Sequence, residues 1–160
     1  MNIRPARPQD RGAIVDLWHR GWHDAHAGIV PKAVLAFRTV PHFELWLDSS
    51  PDRFHVAEGE GGVLGFVTVQ GAELVKLYVS ETARGTGVAR SLLAHGEAEL
   101  FQSGVREAVL FCTAGNVRAE RFYQREGWDL VATNPDTLWL PPGTPGVFIV
   151  STHRYQKPRG

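Results

Sequence analysis

Two short stretches of this 160-residue chain carry residue types and spacings suited to chemistry. The first holds Arg84, Gly85, Thr86, Gly87, Val88, Ala89 and Arg90. It follows a β-prone run, Leu74, Val75, Leu77, Tyr78 and Val79, broken only by Lys76, which suits a strand covered on both faces. Gly85 and Gly87 permit backbone shapes and close approaches that a Cβ would block. From Val88 onward apolar residues return at helical spacing, with Val88, Leu92 and Leu100 on one face. A helix opening there presents unpaired N–H groups and the positive end of its dipole, with Arg84 beside them as a fixed cation. A phosphate or pyrophosphate fits such a turn, although a helix entry without a ligand would look similar. A Walker loop would need GxxxxGK followed by Ser or Thr, and a dinucleotide fingerprint would need a small residue where Arg90 stands, so both of those readings fail.

The second stretch, FCTAGNVRAERFYQREGW from Phe111 to Trp128, contains Asn116, Ala119, Phe122 and Tyr123. Tyr123 lies two helical turns after Asn116 on the same face. Its phenol, with an ordinary pKa near 10, stays protonated at neutral pH and can give a proton to a developing anion. Asn116 could equally cap the helix, and Phe122 and Tyr123 could be core aromatics.

The segment R-x-x-G-x-A after a strand ending Leu-Tyr-Val resembles the acetyl-coenzyme A signature of the GCN5-related N-acetyltransferase (GNAT) superfamily. The later motif of that superfamily, N-x-x-A-x-x-F-Y-x-x-x-G-F, is similar to Asn116 through Trp128, with tryptophan in the last position. Between Gly87 and Asn116 there is room for one helix and one strand. The resemblance spans Ile3 to Gln156 and weakens before Arg53 and after Ala132. It implies an α/β (α+β) fold with a mixed central sheet of about six to seven strands, splayed in the middle and flanked by about four helices. It also implies acetyl-coenzyme A as co-substrate, held by Leu77, Tyr78, Val79, Arg84, Gly85, Thr86, Gly87, Val88, Ala89, Arg90, Asn116, Ala119, Phe122 and Tyr123. Past the splay, backbone groups of Leu77 and Val79 would bond the pantetheine arm as an added strand. Tyr123 takes the general-acid role, Glu73 matches a place where some members keep a base, and the N–H of Val79 or a neighbour would support the oxyanion. Glu73 could also be a solvated strand-end residue.

The elements that must position these residues read as one domain over residues 1–160. Asn2 to Ala6 suits a first strand, and Pro8 a first helical position. Ile14, Trp18, Trp22 and Ala25 form the apolar stripe of an amphipathic helix ending near Gly28 and Pro31. Beside that stripe run His19, His23 and His26, but no cysteine or clear carboxylate completes a metal site, so no metal is expected. Two short helical pieces are expected over Pro31–Arg38 and His42–Asp48. Arg53–Glu58 and Val63–Gln70 form a hairpin around GEGG, Glu107–Thr113 is a strand parallel to the central one, Val131–Ile149 is loop-rich, and Val147–Tyr155 is a final strand.

Lys plus Arg and Asp plus Glu both number 17, so there is no electrostatic case for nucleic acid or an anionic membrane. No apolar run approaches a membrane span and the N-terminus lacks a hydrophobic signal region, which points to the cytoplasm. The lone Cys112 excludes an internal disulfide and sits in an apolar strand as a core thiol. The favoured activity is transfer of acetyl to the primary amine of a small molecule by direct attack in a ternary complex. A protein N-terminal or lysine acetyltransferase and a non-catalytic acetyl-coenzyme A module are the alternatives, and a homodimer is left open. Aromatics from Trp18 to Trp46, with few acidic residues, suit a compact amine or amino-acid-like acceptor, with Trp22 and His26 as its binding residues and Asn134 to Gly146 as a segment able to fold over it.

Overall fold

The computed structural model describes residues 1–160. Seven strands form one sheet: β1 (Asn2–Pro5), β2 (Arg53–Gly59), β3 (Gly62–Gln70), β4 (Glu73–Val79), β5 (Glu107–Thr113), β6 (Asp129–Thr137) and β7 (Ile149–Pro158). Their order is β1-β2-β3-β4-β5-β7-β6, and only β4 and β5 run parallel. Four α-helices cover it: α1 (Arg11–His26), α2 (Val40–Asp48), α3 (Val88–Gln102) and α4 (Val117–Arg125), with a 3-10 segment, Lys32–Phe37, between the first two. The expected mixed sheet and four helices are thus present.

The sheet separates two cores. Ile14, Trp18 and Trp22 of α1 pack with Phe43 of α2 against Val56 and Phe66. On the other face Val88, Leu92, Leu93 and Leu100 of α3 pack against Val67, Val69 and Leu74, and Ala119, Phe122 and Tyr123 of α4 lean on the same cluster. Alternation along each strand sends neighbouring side chains to opposite cores, as Val56 and Ala57 illustrate. Gly96 lets α3 lie close to the sheet, because a Cβ there would stand 2.9 Å from Leu74 Cδ1.

The central feature is a V between β4 and β5. Their ladder is limited to Glu73 opposite Val109, with Val109 N–H donating to Ala72 O at 2.9 Å. Against β3, the register of β4 slips so that Thr68 faces Lys76 while Val69 faces Leu74, which leaves Val75 as an extra, bulged residue. A bulge bends a strand and increases its twist, and here it turns β4 away from β5. Ser80 N–H still donates to Leu64 O at 2.8 Å. Alternation from that bond turns the backbone groups of Leu77 and Val79 to the opposite edge, into the V.

The C-terminal region differs from expectation. Strand β6 runs through Pro135, in a stretch that reads as loop, and β7 begins at Ile149 and continues to Pro158. Proline is tolerated because β6 is the outermost strand and its free edge needs no donor. No helix is long and apolar enough to cross a membrane.

Candidate active site

The V opens onto a cleft of about 1100 Å³ lined by β4 from Val75 to Val79, β5 from Phe111 to Thr113, the turn before α3, α4, and Gly21, Ala25 and His26 of α1. At its phosphate end Gly85 and Gly87 hold φ values of +75° and +89°, a left-handed conformation that a side chain would strain. Neither has a heavy atom within 4 Å of where a Cβ would stand. The two glycines therefore serve the path of the turn and leave open space above it, at the N-terminus of the 15-residue α3. Five arginines, Arg84, Arg90, Arg118, Arg121 and Arg125, line this end. Asp24 of α1 bridges Arg84 and Arg118, the latter at 2.9 Å, and the two guanidiniums hold its carboxyl below the usual range.

Asn116 caps α4, its Oδ1 accepting from Ala119 N–H at 3.4 Å, and it lines the cleft as well. Tyr123 stands further along the same helix, its ring 5.4 Å from Phe122 and 6.0 Å from Tyr155. Burial pushes its phenol well above the ordinary tyrosine range, with Cys112, Tyr78 and Tyr155 adding to the shift, so the proton is retained. Cys112 faces the same cleft, and burial pushes its thiol up to about 12, so it is a protonated wall residue and not a nucleophile.

His26 closes the end nearest α1. A carbonyl only accepts, so Nδ1–H of His26 must be the donor to Trp22 O at 3.0 Å, which leaves Nε2 as a lone pair. Burial, against the support of the Trp22 carbonyl and with the Arg38 charge adding to it, lowers the imidazole pKa to about 4, so the ring is neutral at neutral pH.

Of the residues expected at the cofactor, Leu77, Tyr78, Val79, Arg84, Gly85, Gly87, Ala89, Arg90, Asn116, Ala119, Phe122 and Tyr123 line the cleft. Thr86 and Val88 do not. The Thr86 hydroxyl bonds Ala83 O and shapes the turn, while Val88 is buried in the core beneath it. The acceptor pair divides. His26 lines the cleft, whereas Trp22 is 3% exposed and packs behind it at 5.2 Å between rings, so Trp22 supports the wall from within instead of touching a ligand. Glu73 lies at the closed end of the V, where β4 and β5 still pair, and is not among the lining residues. Burial raises its carboxyl, with Asp52 and Asp136 adding to the rise and Lys76 opposing it.

Sequence reading missed Arg38. It is 1% exposed, and its guanidinium lies 4.8, 4.9 and 5.8 Å from the rings of Trp22, Trp46 and Trp139. Its nitrogens donate to Phe37 O at 3.1 Å and Trp139 O at 2.7 Å, while Nε has no partner. Burial lowers its pKa to about 10, which still leaves it cationic. Trp139 also stacks on Trp46 at 4.7 Å and 4°, so the segment joining β6 and β7 lies on α2 and not along the cleft. The aromatic spacing around Trp46 was visible in the sequence, but its partner across the chain was not. Of His19, His23 and His26, only His19 and His23 make ring contact with each other, at 4.7 Å, and His23 Nε2–H is committed to Arg38 O at 2.7 Å.

A strand pair splayed over a glycine turn, beside a capped tyrosine-bearing helix, suits a phosphate-bearing ligand with a peptide-like arm. The chain belongs to the Acetyltransferase (GNAT) family, whose model matches residues 13–128. It is 32% identical over 131 residues to a mycothiol acetyltransferase of Cellulomonas flavigena, an alignment covering 68% of this chain and 36% of that protein, so the chain spans about a third of the relative's length. Its fold is similar to a ribosomal-protein-alanine N-acetyltransferase of Brucella melitensis (TM-score 0.72, 21% identity, 99% of this chain and 100% of the other). It is also similar to the PaiA N-acetyltransferase of Thermoplasma acidophilum in complex with coenzyme A (TM-score 0.68, 17% identity, 99% and 100%).

Proposed function

We propose that the protein transfers acetyl from acetyl-coenzyme A to the primary amine of a small molecule by direct attack in a ternary complex. The observation that carries the reading is the V itself. Free backbone groups of Leu77 and Val79 border a cleft that runs from an arginine-lined glycine turn to the Tyr123 phenol. The residues suit the donor: the turn and α3 N-terminus for the phosphates, the β4 edge for the pantetheine amides, and Asn116, Ala119 and Phe122 for the far side of the arm. When bound, that donor supplies a thioester whose carbonyl carbon an amine attacks.

The chain's own contribution is threefold. The Val79 N–H points into the V and can support negative charge on the carbonyl oxygen. Tyr123 gives its phenolic proton to the sulfur as the C–S bond breaks, and the proton that the attacking nitrogen loses on becoming an amide returns to the phenolate through water. His26, neutral and with Nε2 free, offers the incoming amine an acceptor without a competing positive charge. Glu73 remains a candidate base only through intervening water, since it does not line the cleft.

A small acceptor is favoured over a peptide because the wall behind His26 is aromatic, built from Trp22 and Phe43, and suits a compact ligand with an apolar or planar part. The names of the relatives, one for mycothiol and one for a ribosomal protein alanine, span both acceptor classes. The test is thioester cleavage measured against amino acids, polyamines, aminoglycosides and N-terminal peptides, in the native protein and in Tyr123→Phe. Small amines should be turned over, and kcat should fall on the order of 10 to 1,000-fold in the variant with coenzyme A affinity nearly unchanged. Peptides outcompeting every small amine would move the assignment to a protein acetyltransferase.

A further inference from the structure

Outside the cleft, His55 of β2 faces His95 and Glu99 of α3. His95 and Glu99 are four residues apart and share a helix face, and His55 follows the same alternation as Ala57, which packs in the α3 core. The two imidazoles stand with ring centroids 4.7 Å apart. A single carboxylate oxygen, Glu99 Oε1, lies 3.9 Å from His55 Nε2 and 3.8 Å from His95 Nε2, and the three donor atoms all fall within 4.8 Å of one another.

Those separations are too long for hydrogen bonds, so three potential ligand atoms converge without bonding each other. His95 Nε2 is buried and has no partner at all. A buried polar atom left unsatisfied is costly, so its retention asks for an occupant. Arg53 approaches the other carboxylate oxygen, Oε2, at 3.8 Å, which leaves Oε1 turned to the histidines.

We propose that His55, His95 and Glu99 form a binding site for a divalent transition cation, with zinc the best match, that staples α3 to β2. Two imidazole nitrogens and one carboxylate oxygen are a zinc ligand set. With zinc bonds of ~2.0–2.2 Å, tetrahedral ligand atoms stand roughly 3.3–3.5 Å apart, so the cluster needs only a small contraction, within reach of side-chain rotation. His55 is buried, whereas the side chains of His95 and Glu99 keep 28% and 32% of their exposure. The site therefore opens outward and admits water as the fourth ligand. An ion there would fix the helix whose first turn meets the donor phosphates, although none of its ligands touches the cleft.

The experiment is calorimetric titration of the chelator-stripped full chain with zinc chloride, paired with thermal melts with and without zinc. One ion per chain should bind with a micromolar or tighter Kd and raise Tm, and magnesium and calcium should do neither. Glu99→Gln and His95→Asn should each weaken zinc binding more than tenfold and remove the Tm rise, whereas His19→Asn, in the other histidine pair, should leave both unchanged. Coenzyme A binding in each variant checks that the fold is intact. Absence of zinc binding to the native chain, or zinc affinity unchanged in both Glu99→Gln and His95→Asn, overturns the proposal and leaves an imidazole–carboxylate cluster without an ion.

Discussion

Arg38 and Trp139 lie 101 residues apart in the chain, yet Nη2 of the buried guanidinium donates to the Trp139 carbonyl at 2.7 Å. With no carboxylate beside it, the cation is held by two carbonyls and three indole faces. Each cation–π contact in a desolvated setting contributes up to about 2 kcal/mol, which offsets part of the cost of burying the charge. One side chain thus joins α1, α2 and the β6–β7 segment behind the acceptor wall.

Arg38→Ala should remove that joint and leave a cavity among the tryptophans. The expected loss is about 2–4 kcal/mol of stability, with new proteolytic cleavage between Leu138 and Phe148. Denaturant melts and limited proteolysis read both. If the segment stays protected and stability changes by less than about 0.5 kcal/mol, the joint is not what holds it.

Gly87 provides a test of the phosphate end. Its φ of +89° makes any side chain strained by about 1–2 kcal/mol, while the space above it is open. Gly87→Ala should cost stability and weaken coenzyme A modestly. Gly87→Glu adds a carboxylate against the bound phosphates and should abolish binding. Calorimetry that finds equal affinity in Gly87→Glu and Gly87→Ala would remove the case for an anion there.

What was legible in the sequence was local. Arg84 to Ala89 and Asn116 to Tyr123 are contiguous, and each sits on a strand–turn–helix or helix start whose geometry follows from its own residues. What was not legible depends on pairing between distant segments. Arg38 in its tryptophan box, Cys112 and Arg118 at the cleft, and the meeting of His55 with His95 arise from sheet order and helix placement. Trp22 was expected at the acceptor although its spacing already put it on the apolar stripe of α1, and it is buried behind His26. Pro135 hid strand β6 because sequence does not announce which strand will be an edge.

His26 should give stability a pH dependence of definite sign. In the folded chain its pKa is lowered to about 4, whereas an unfolded histidine titrates near 6.5. The unfolded state therefore takes up the proton first as pH falls. Stability is full above about pH 6.5 and declines down to about pH 4, by on the order of 3 kcal/mol for this one group. His19 and His55, also lowered by burial, add to the same limb. His26→Gln should flatten the fall of Tm between pH 6.5 and 4 relative to the native chain. Parallel pH profiles for the two proteins would show that His26 is not held neutral.

The edge of β4 supplies a backbone test. Because Ser80 N–H donates across to Leu64 O, the N–H of Tyr78 belongs to the β3 ladder, opposite Phe66, and that of Val79 belongs to the V. Proline removes an N–H and is tolerated at a strand edge that needs no donor, but inside a ladder it breaks a hydrogen bond. Val79→Pro should therefore keep most of the fold and its coenzyme A binding at the glycine turn while losing the support for the carbonyl oxygen. The expected fall in kcat is on the order of 10² to 10³, the usual cost of one such donor. Tyr78→Pro should instead lower Tm sharply. Steady-state kinetics and melts on the two variants separate the roles: equal destabilisation by both would mean that the V does not free the Val79 edge, and an unchanged kcat in a folded Val79→Pro would take the oxyanion role away from that N–H.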